Sequence, residues 1–197
     1  MPETLPQYLI QHAETLPQYL IQHAETTPDA TALRERNYGI WQALSWREYL
    51  DHVKYFALGL HTLGLVPEET IAVIGDNRPE WVISELAAQS VGAKSVGIYQ
   101  DAVVKEMVYI FNHSDVSFVV VEDQEQVDKL IEMWDELKGI RKVIYYDPKG
   151  LPNYTEDYLL YFPDVEEMGR KFDEENPGFW EARVAEGKEE DLCILST

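Results

Sequence analysis

The stretch Thr70–Tyr99, TIAVIGDNRPEWVISELAAQSVGAKSVGIY, decides the fold. "TIAVIG" is a short apolar run rich in β-branched residues, which predicts a strand. In the turn that follows, Asn77 is placed to cap a helix, Pro79 fits its first turn, and Glu80 stands three residues after the cap. The helix "PEWVISELAAQSVG" is stopped by Gly92, and "KSVGIY" is a strand again. Two fully apolar strands joined by a helix form a βαβ crossover. That connection makes the strands parallel and requires both faces of the sheet to be covered.

The same alternation continues toward the C-terminus. "AVVKEMVYIFN" has helical spacing, "SFVVVE" is a strand, and "QEQVDKLIEMWDELKG" is a helix with Val127, Leu130, Ile131, Trp134 and Leu137 on one face. Asp123 and Gln126 repeat the cap spacing at its start, and "KVIYY" is the next strand. Residues 151–191 are acidic, aromatic and broken by Pro and Gly. Two amphipathic helices are predicted there, around "PDVEEMGRKFDEE" and "PGFWEARVAEG", and "DLCILS" is the last strand. Toward the N-terminus, "TALRERNYGIWQALSW" reads as a hairpin turning near Asn37-Tyr38-Gly39, followed by the helix "REYLDHVKYFALGLHTLG". The expected fold is therefore α/β: a parallel sheet of about five strands with helices on both faces, preceded by a helix and a β-hairpin.

The first residues hold an exact tandem repeat: "ETLPQYLIQHA" fills positions 3–13 and again 14–24. Each copy has helical apolar spacing, with a threonine positioned as cap and a proline in the first turn. Pro17 inside one continuous helix would cost about 3 kcal/mol, so two short helices or a sharply kinked one are expected. Two copies of so short a unit do not make a solenoid, and a recent duplication is the simplest reading. The second copy is expected to occupy the native position because it joins the hairpin directly. The first could dock on another chain as a homodimer contact. Residues 1–26 are thus read as a helical repeat segment and 27–197 as the α/β unit.

Composition narrows the function classes. The chain has 197 residues, 45% of them hydrophobic, and a formal net charge of -20. That balance excludes a nucleic-acid footprint and opposes an anionic membrane surface. With one cysteine, Cys193 in "LCIL", no internal disulfide is possible, and a buried thiol in a reducing compartment is expected. No secretion signal and no membrane-length apolar run are present, so a cytoplasmic location is expected.

Motifs for chemistry are sparse. "GAKSVG" at 92–97 has the outer glycines of a phosphate loop, but Ile98 and Tyr99 stand where a lysine and a hydroxyl should follow, and the stretch enters a strand instead of a helix. His12 and His23 are repeat copies, His52 and His61 lie nine apart on one helix, and His113 sits in a turn, so no metal spacing emerges. No serine occupies a nucleophile elbow. The five tryptophans, Trp41, Trp46, Trp81, Trp134 and Trp180, are read as packing residues.

The ordered phrases carry more than any single motif. "WREYLDHVKYFALGLHTLGL", "IAVIGDNRPEWVISELAAQSVGAKSVGIYQD", "YIFNHSDVSFVVVEDQEQVDKL" and "VIYYDP", in this order, resemble the N-terminal part of AMP-forming acyl-CoA synthetases. These belong to the adenylate-forming superfamily, with luciferases and peptide-synthetase adenylation domains. "NYGIWQ" and the long segment from "VVVEDQ" to "DPKGL" look most like the long-chain fatty acid members. The resemblance implies that the strand "DLCIL" leads into a loop of the form Tyr-Thr-Ser-Gly-Thr-Thr-Gly that grips ATP phosphates. Ser196 would fall on its first position, in place of the aromatic residue. Thr197 would fall on the second, as the threonine facing the triphosphate and its Mg²⁺.

The loop's glycines, the lysine after it, the adenine pocket and the C-terminal domain are not among these residues. The resemblance therefore implies a fragment that stops at the phosphate loop and is inactive alone. Its parent would use ATP, Mg²⁺ and CoA to convert a fatty acid through an acyl-adenylate. A free-standing α/β interaction or small-ligand module is the alternative that composition and periodicity equally allow.

Overall fold

A computed structural model of the chain describes residues 13–196. The first repeat copy, Ser196's neighbour Thr197 and every expectation resting on them lie outside the described residues, apart from Ala13. The chain runs α1 (Leu16–Thr26), β1 (Thr31–Asn37), β2 (Ile40–Ser45), α2 (Trp46–Thr62), β3 (Thr70–Ile74), α3 (Pro79–Ser90), β4 (Lys94–Ile98), α4 (Val104–His113) and β5 (Val116–Val121). Then follow α5 (Gln124–Met133) with a 3₁₀ turn at Trp134–Glu136, β6 (Lys142–Tyr145), β7 (Leu159–Tyr161), α6 (Phe162–Glu175), α7 (Phe179–Ala185) and β8 (Ile194–Leu195).

The main sheet has six strands in the order β7-β6-β5-β3-β4-β8, and every neighbouring pair is parallel. The sequence reading of about five strands missed β7. Its three residues, Leu159–Tyr161, are only half buried and run directly into α6 at Phe162, so no turn signal separates the short apolar stretch 158–162 from the helix that follows. The remaining strands show why parallel sheets read as continuous apolar runs. β3 and β5 are buried at every position. Ile71 and Val73 face one core, with Phe118, Val120 and Ile144, beneath α1, α2, α3, α6 and α7. Ala72 and Ile74 face the other, with Val96, Val119, Val121 and Val143, beneath α4 and α5.

The local signals explain most boundaries. The hairpin turns on Tyr38 (φ 48°) and Gly39 (φ 78°), two positive values in succession, as a two-residue turn matched to strand twist requires. α2 starts on a capping box: the Ser45 backbone N–H donates to Glu48 Oε2 at 2.8 Å, and Glu48 N–H donates back to Ser45 Oγ at 3.3 Å. Asp123 caps α5 as expected, its Oδ1 accepting from Gln126 N–H at 3.3 Å. Asn77 does not cap α3. The cap position is Arg78, and its side chain turns toward carboxylates instead of the helix end.

α2 and α6 pack with their backbones in near contact. Gly59 and Gly169 meet there, and a methyl group on either would strike the other helix, at Val165 O for Gly59 and at Tyr55 O for Gly169. Phe56 stacks on Phe162 beside this crossing, with ring centroids 3.9 Å apart. Trp180 is buried and its indole N–H donates to Ser90 Oγ at 2.9 Å, which fastens α7 to α3.

Two expectations need correction. Trp41 is 66% exposed on the hairpin, so it does not pack. Cys193 is half buried, and β8 pairs through only two residues, because it forms the edge of the sheet with nothing beyond it among the described residues. Copy 14–24 takes the native position, as its direct link to the hairpin led us to expect: from Leu16 onward it forms α1, with Leu20 and Ile21 in the main core.

Candidate site at the carboxyl edge of the sheet

In open α/β sheets, ligands bind outside the carboxyl ends of the strands, where the strand order reverses. Here the chain goes from β3 to β4 on one side and then crosses to β5 on the other, so the reversal lies between β3 and β5. That crevice is filled by the chain's own charges. Arg78, at the end of the β3–α3 turn, lies with Nε 2.8 Å from Glu35 Oε1 and Nη1 3.4 Å from Glu122 Oε1. The backbone N–H of Asp76 donates to Glu122 Oε2 at 2.7 Å, and Tyr146 Oη donates to the same oxygen at 3.5 Å. Gln100 Nε2 donates to Asp76 Oδ1 at 3.0 Å and ties the end of β4 to this cluster.

Burial, and next the Glu122 carboxylate, push the Tyr146 phenol well up, so it remains a neutral donor. Burial also raises Glu80, which stands 3.9 Å from Arg78. One guanidinium among Glu35, Glu80 and Glu122 forms a clamp that joins the hairpin, α3 and β5. A triphosphate brought here would meet carboxylates.

The second crevice is open and apolar. A cleft of about 950 Å³ lies beyond β3, β4 and β8, lined by Val73, Trp81, Gly97, Tyr109, Leu195 and Ser196 among others. The Trp81 ring packs close to Gly97, where a Cβ would come within 2.9 Å of Cζ2. A side chain at 97 would close this floor. Tyr99 (88% exposed), Tyr109, Val103 and Ile194 leave apolar surface around the mouth. Its charged lining groups are Lys105, Glu85 and Glu106, and burial raises the Glu85 carboxyl. This environment suits an apolar occupant. One lysine in the lining is balanced by two carboxylates, and among the described residues no group of three or more His, Cys, Asp or Glu could hold a metal ion.

The candidate residues from the sequence are not brought together. "GAKSVG" leaves α3 at Gly92 and enters β4, so its amides serve the sheet: Lys94 N–H donates to Glu69 O at 2.8 Å and Ser95 N–H to Cys193 O at 2.9 Å. His52 Nδ1 pairs with Glu166 Oε1 at 2.6 Å, which raises the imidazole pKa, chiefly through that hydrogen bond. His61 packs against Phe172 and Phe179, and burial lowers it. His113 stacks on Tyr109. Arg78 was read from the sequence only as part of a turn. The signal that could have marked it is a lone arginine between a strand end and Pro79, but its partners Glu35 and Glu122 are 43 and 44 residues away in sequence. Among the described residues, no helix is long and apolar enough to cross a membrane.

Comparison with known proteins bears on the same region. The chain is 28% identical over 118 residues to long-chain-fatty-acid–CoA ligase ACSBG2 of Xenopus laevis, covering 60% of this chain and 16% of the relative. It is 26% identical over 165 residues to the ACSBG2 ligase of Homo sapiens, covering 83% of this chain and 24% of that one. The chain therefore spans between 16% and 24% of the length of these relatives. Among solved structures, the anthranilate CoA ligase AuaEII, in complex with anthranoyl-AMP, superposes with a TM-score of 0.71 at 18% identity, over 91% of this chain and 31% of that one. Acetoacetyl-CoA synthetase of Streptomyces lividans gives 0.68 at 21% identity, over 76% of this chain and 24% of that one. These likenesses show the fold. The family model for AMP-binding enzymes matches residues 20–195, from the middle of α1 to the end of β8, and the chain belongs to that family.

Proposed function

We propose that this chain forms the N-terminal α/β lobe of a long-chain fatty acid–CoA ligase, with residues 1–26 as a repeat segment ahead of the lobe. The observation that carries the reading is the position of β8. It pairs in parallel on the outside of β4, Ser95 opposite Ile194 and Val96 opposite Leu195, and delivers Ser196 to the carboxyl edge beside the apolar cleft. That edge is where α/β folds bind ligands. It is also where the family's phosphate loop begins, so Thr197 is proposed to contact the triphosphate and its Mg²⁺ in the longer parent enzyme. The parent would convert a fatty acid with ATP to acyl-adenylate and pyrophosphate, and CoA would then displace AMP. The apolar cleft would contribute one wall of the acyl or CoA site.

The 197 residues by themselves are proposed to be inactive. In support, the lining of the apolar cleft offers one lysine against two carboxylates, and a net charge of -20 opposes a polyphosphate unless a local basic cluster overrides it. The test is pyrophosphate exchange into ATP with palmitate and Mg²⁺, run beside calorimetric titration of ATP. No exchange above a no-enzyme blank is expected. Exchange, or micromolar ATP affinity, would overturn the proposed inactivity. The coding sequence after codon 197 tests the parent: a following SGTTG with a lysine beyond it supports the ligase, and a stop codon removes it.

A further inference from the structure

We propose that the groove holding α1 has a second ligand in the same chain, residues 3–13, and that the N-terminus exchanges between two registers. The groove is formed by α2, α3 and α7. The buried Gln18 anchors α1 in it. Its Nε2 donates to Val184 O at 3.0 Å and Gly187 O at 2.9 Å, while its Oε1 accepts from the backbone N–H of Glu14 at 2.8 Å and Thr15 at 3.3 Å. Leu20 and Ile21 supply the apolar contacts, and the His23 ring stacks on Trp46 at 4.3 Å. Every one of these groups has an identical counterpart eleven residues earlier: Gln7, Leu9, Ile10 and His12.

The identity runs past the repeat itself. Glu14 and Thr15 follow the first copy as Glu25 and Thr26 follow the second, so residues 5–15 match α1 from Leu16 to Thr26 without a difference. The groove cannot tell one segment from the other by side chain. The two seatings exclude each other, because Glu14 and Thr15 open the helix in one register and close it in the other. What separates them is the link to β1. Seating the first copy inserts eleven residues into the four-residue connection 27–30. Two doublings of loop length disfavour that register by roughly tenfold, a minor but populated state.

Three variants of the full chain test this by urea denaturation. Leu9→Asp with Ile10→Asp damages the first copy and is expected to leave the midpoint unchanged. Leu20→Asp with Ile21→Asp damages the seated copy. It is expected to lower the folding equilibrium constant by only about tenfold, because the first copy takes its place. The four-site combination leaves no copy to seat and is expected to be far less stable than either. If the Leu20/Ile21 variant is as damaged as the combination, the proposal is overturned. A rescue that strengthens with protein concentration, with a dimer in sedimentation, places the first copy in a neighbouring molecule and also overturns it. Where aspartates prevent purification, Gln18→Ala alone against Gln7→Ala with Gln18→Ala gives the same decision: a smaller loss for the single variant supports exchange, and equal losses refute it.

Discussion

The two crevices at the carboxyl edge of the sheet are built on opposite principles. Between β3 and β5 the space is occupied by Arg78 and the carboxylates that surround it, with the Tyr146 hydroxyl and the Asp76 backbone N–H donating to Glu122. Beyond β4 and β8 the space is open, its floor is Val73, Gly97 and Trp81, and exposed tyrosines stand at its mouth. The first is a joint that binds elements distant in sequence. The second is a surface with apolar area left over. The reversal of strand order marks where an α/β sheet can hold a ligand, but side chains decide whether the place is vacant. In this chain they close the switch point and leave the neighbouring edge free.

The largest expected effect contrasts the packed body with that edge. Phe56→Ala removes a fully buried ring stacked on Phe162 and is expected to cost about 3–5 kcal/mol. Tyr99→Ala, at the open cleft, is expected to stay within about 0.5 kcal/mol. Urea midpoints measure both, and a comparable loss at Tyr99 would show that the edge is not free. A smaller effect is expected at the closed crevice. Arg78→Met leaves Glu35, Glu80 and Glu122 without their shared cation. Discounting the 3–5 kcal/mol typical of a broken buried pair for the partial exposure of these groups gives about 2 kcal/mol at pH 7. The loss should shrink as pH falls and Glu80, whose carboxyl burial raises, becomes neutral. A loss that does not change with pH would mean that Arg78 acts by packing alone.

The smallest expected effect lies away from both crevices, at the pair that joins α2 to α6. His52 has its pKa raised above the usual 6.5, first by its hydrogen bond to Glu166. A raised histidine contributes stability that is fully present below the unfolded value and is lost as pH rises through the folded one. Stability should therefore decline slightly from pH 6 to 9, by less than about 1 kcal/mol because the ring is well exposed. Glu166→Gln should flatten that decline. Chemical denaturation at the two pH values decides it, and an unchanged slope in the variant would assign the decline to other groups.

Most of the α/β body was legible because its strands are short, mainly apolar runs and its helices carry one apolar face. β3 and β5, buried throughout, leave no alternation to confuse with a hairpin, and Asp123 capped the helix its spacing announced. β7 escaped because its three residues run without a turn into α6 at Phe162, and its strand status comes from pairing with β6. Arg78 escaped because a cap position and a charge clamp look alike when the partners are far away in sequence.

Local sequence was enough for the parallel α/β class, the hairpin turning near Asn37-Tyr38-Gly39, and the family resemblance, since each rests on neighbouring residues or on an ordered series of phrases. It also determined that two identical segments exist. Long-range packing settled that the switch point is closed by Arg78 and that the cleft beside β8 is open, and it named α2, α3 and α7 as the elements on which residues 14–24 sit. These depend on which distant side chains meet, and such meetings are set by packing against the whole sheet.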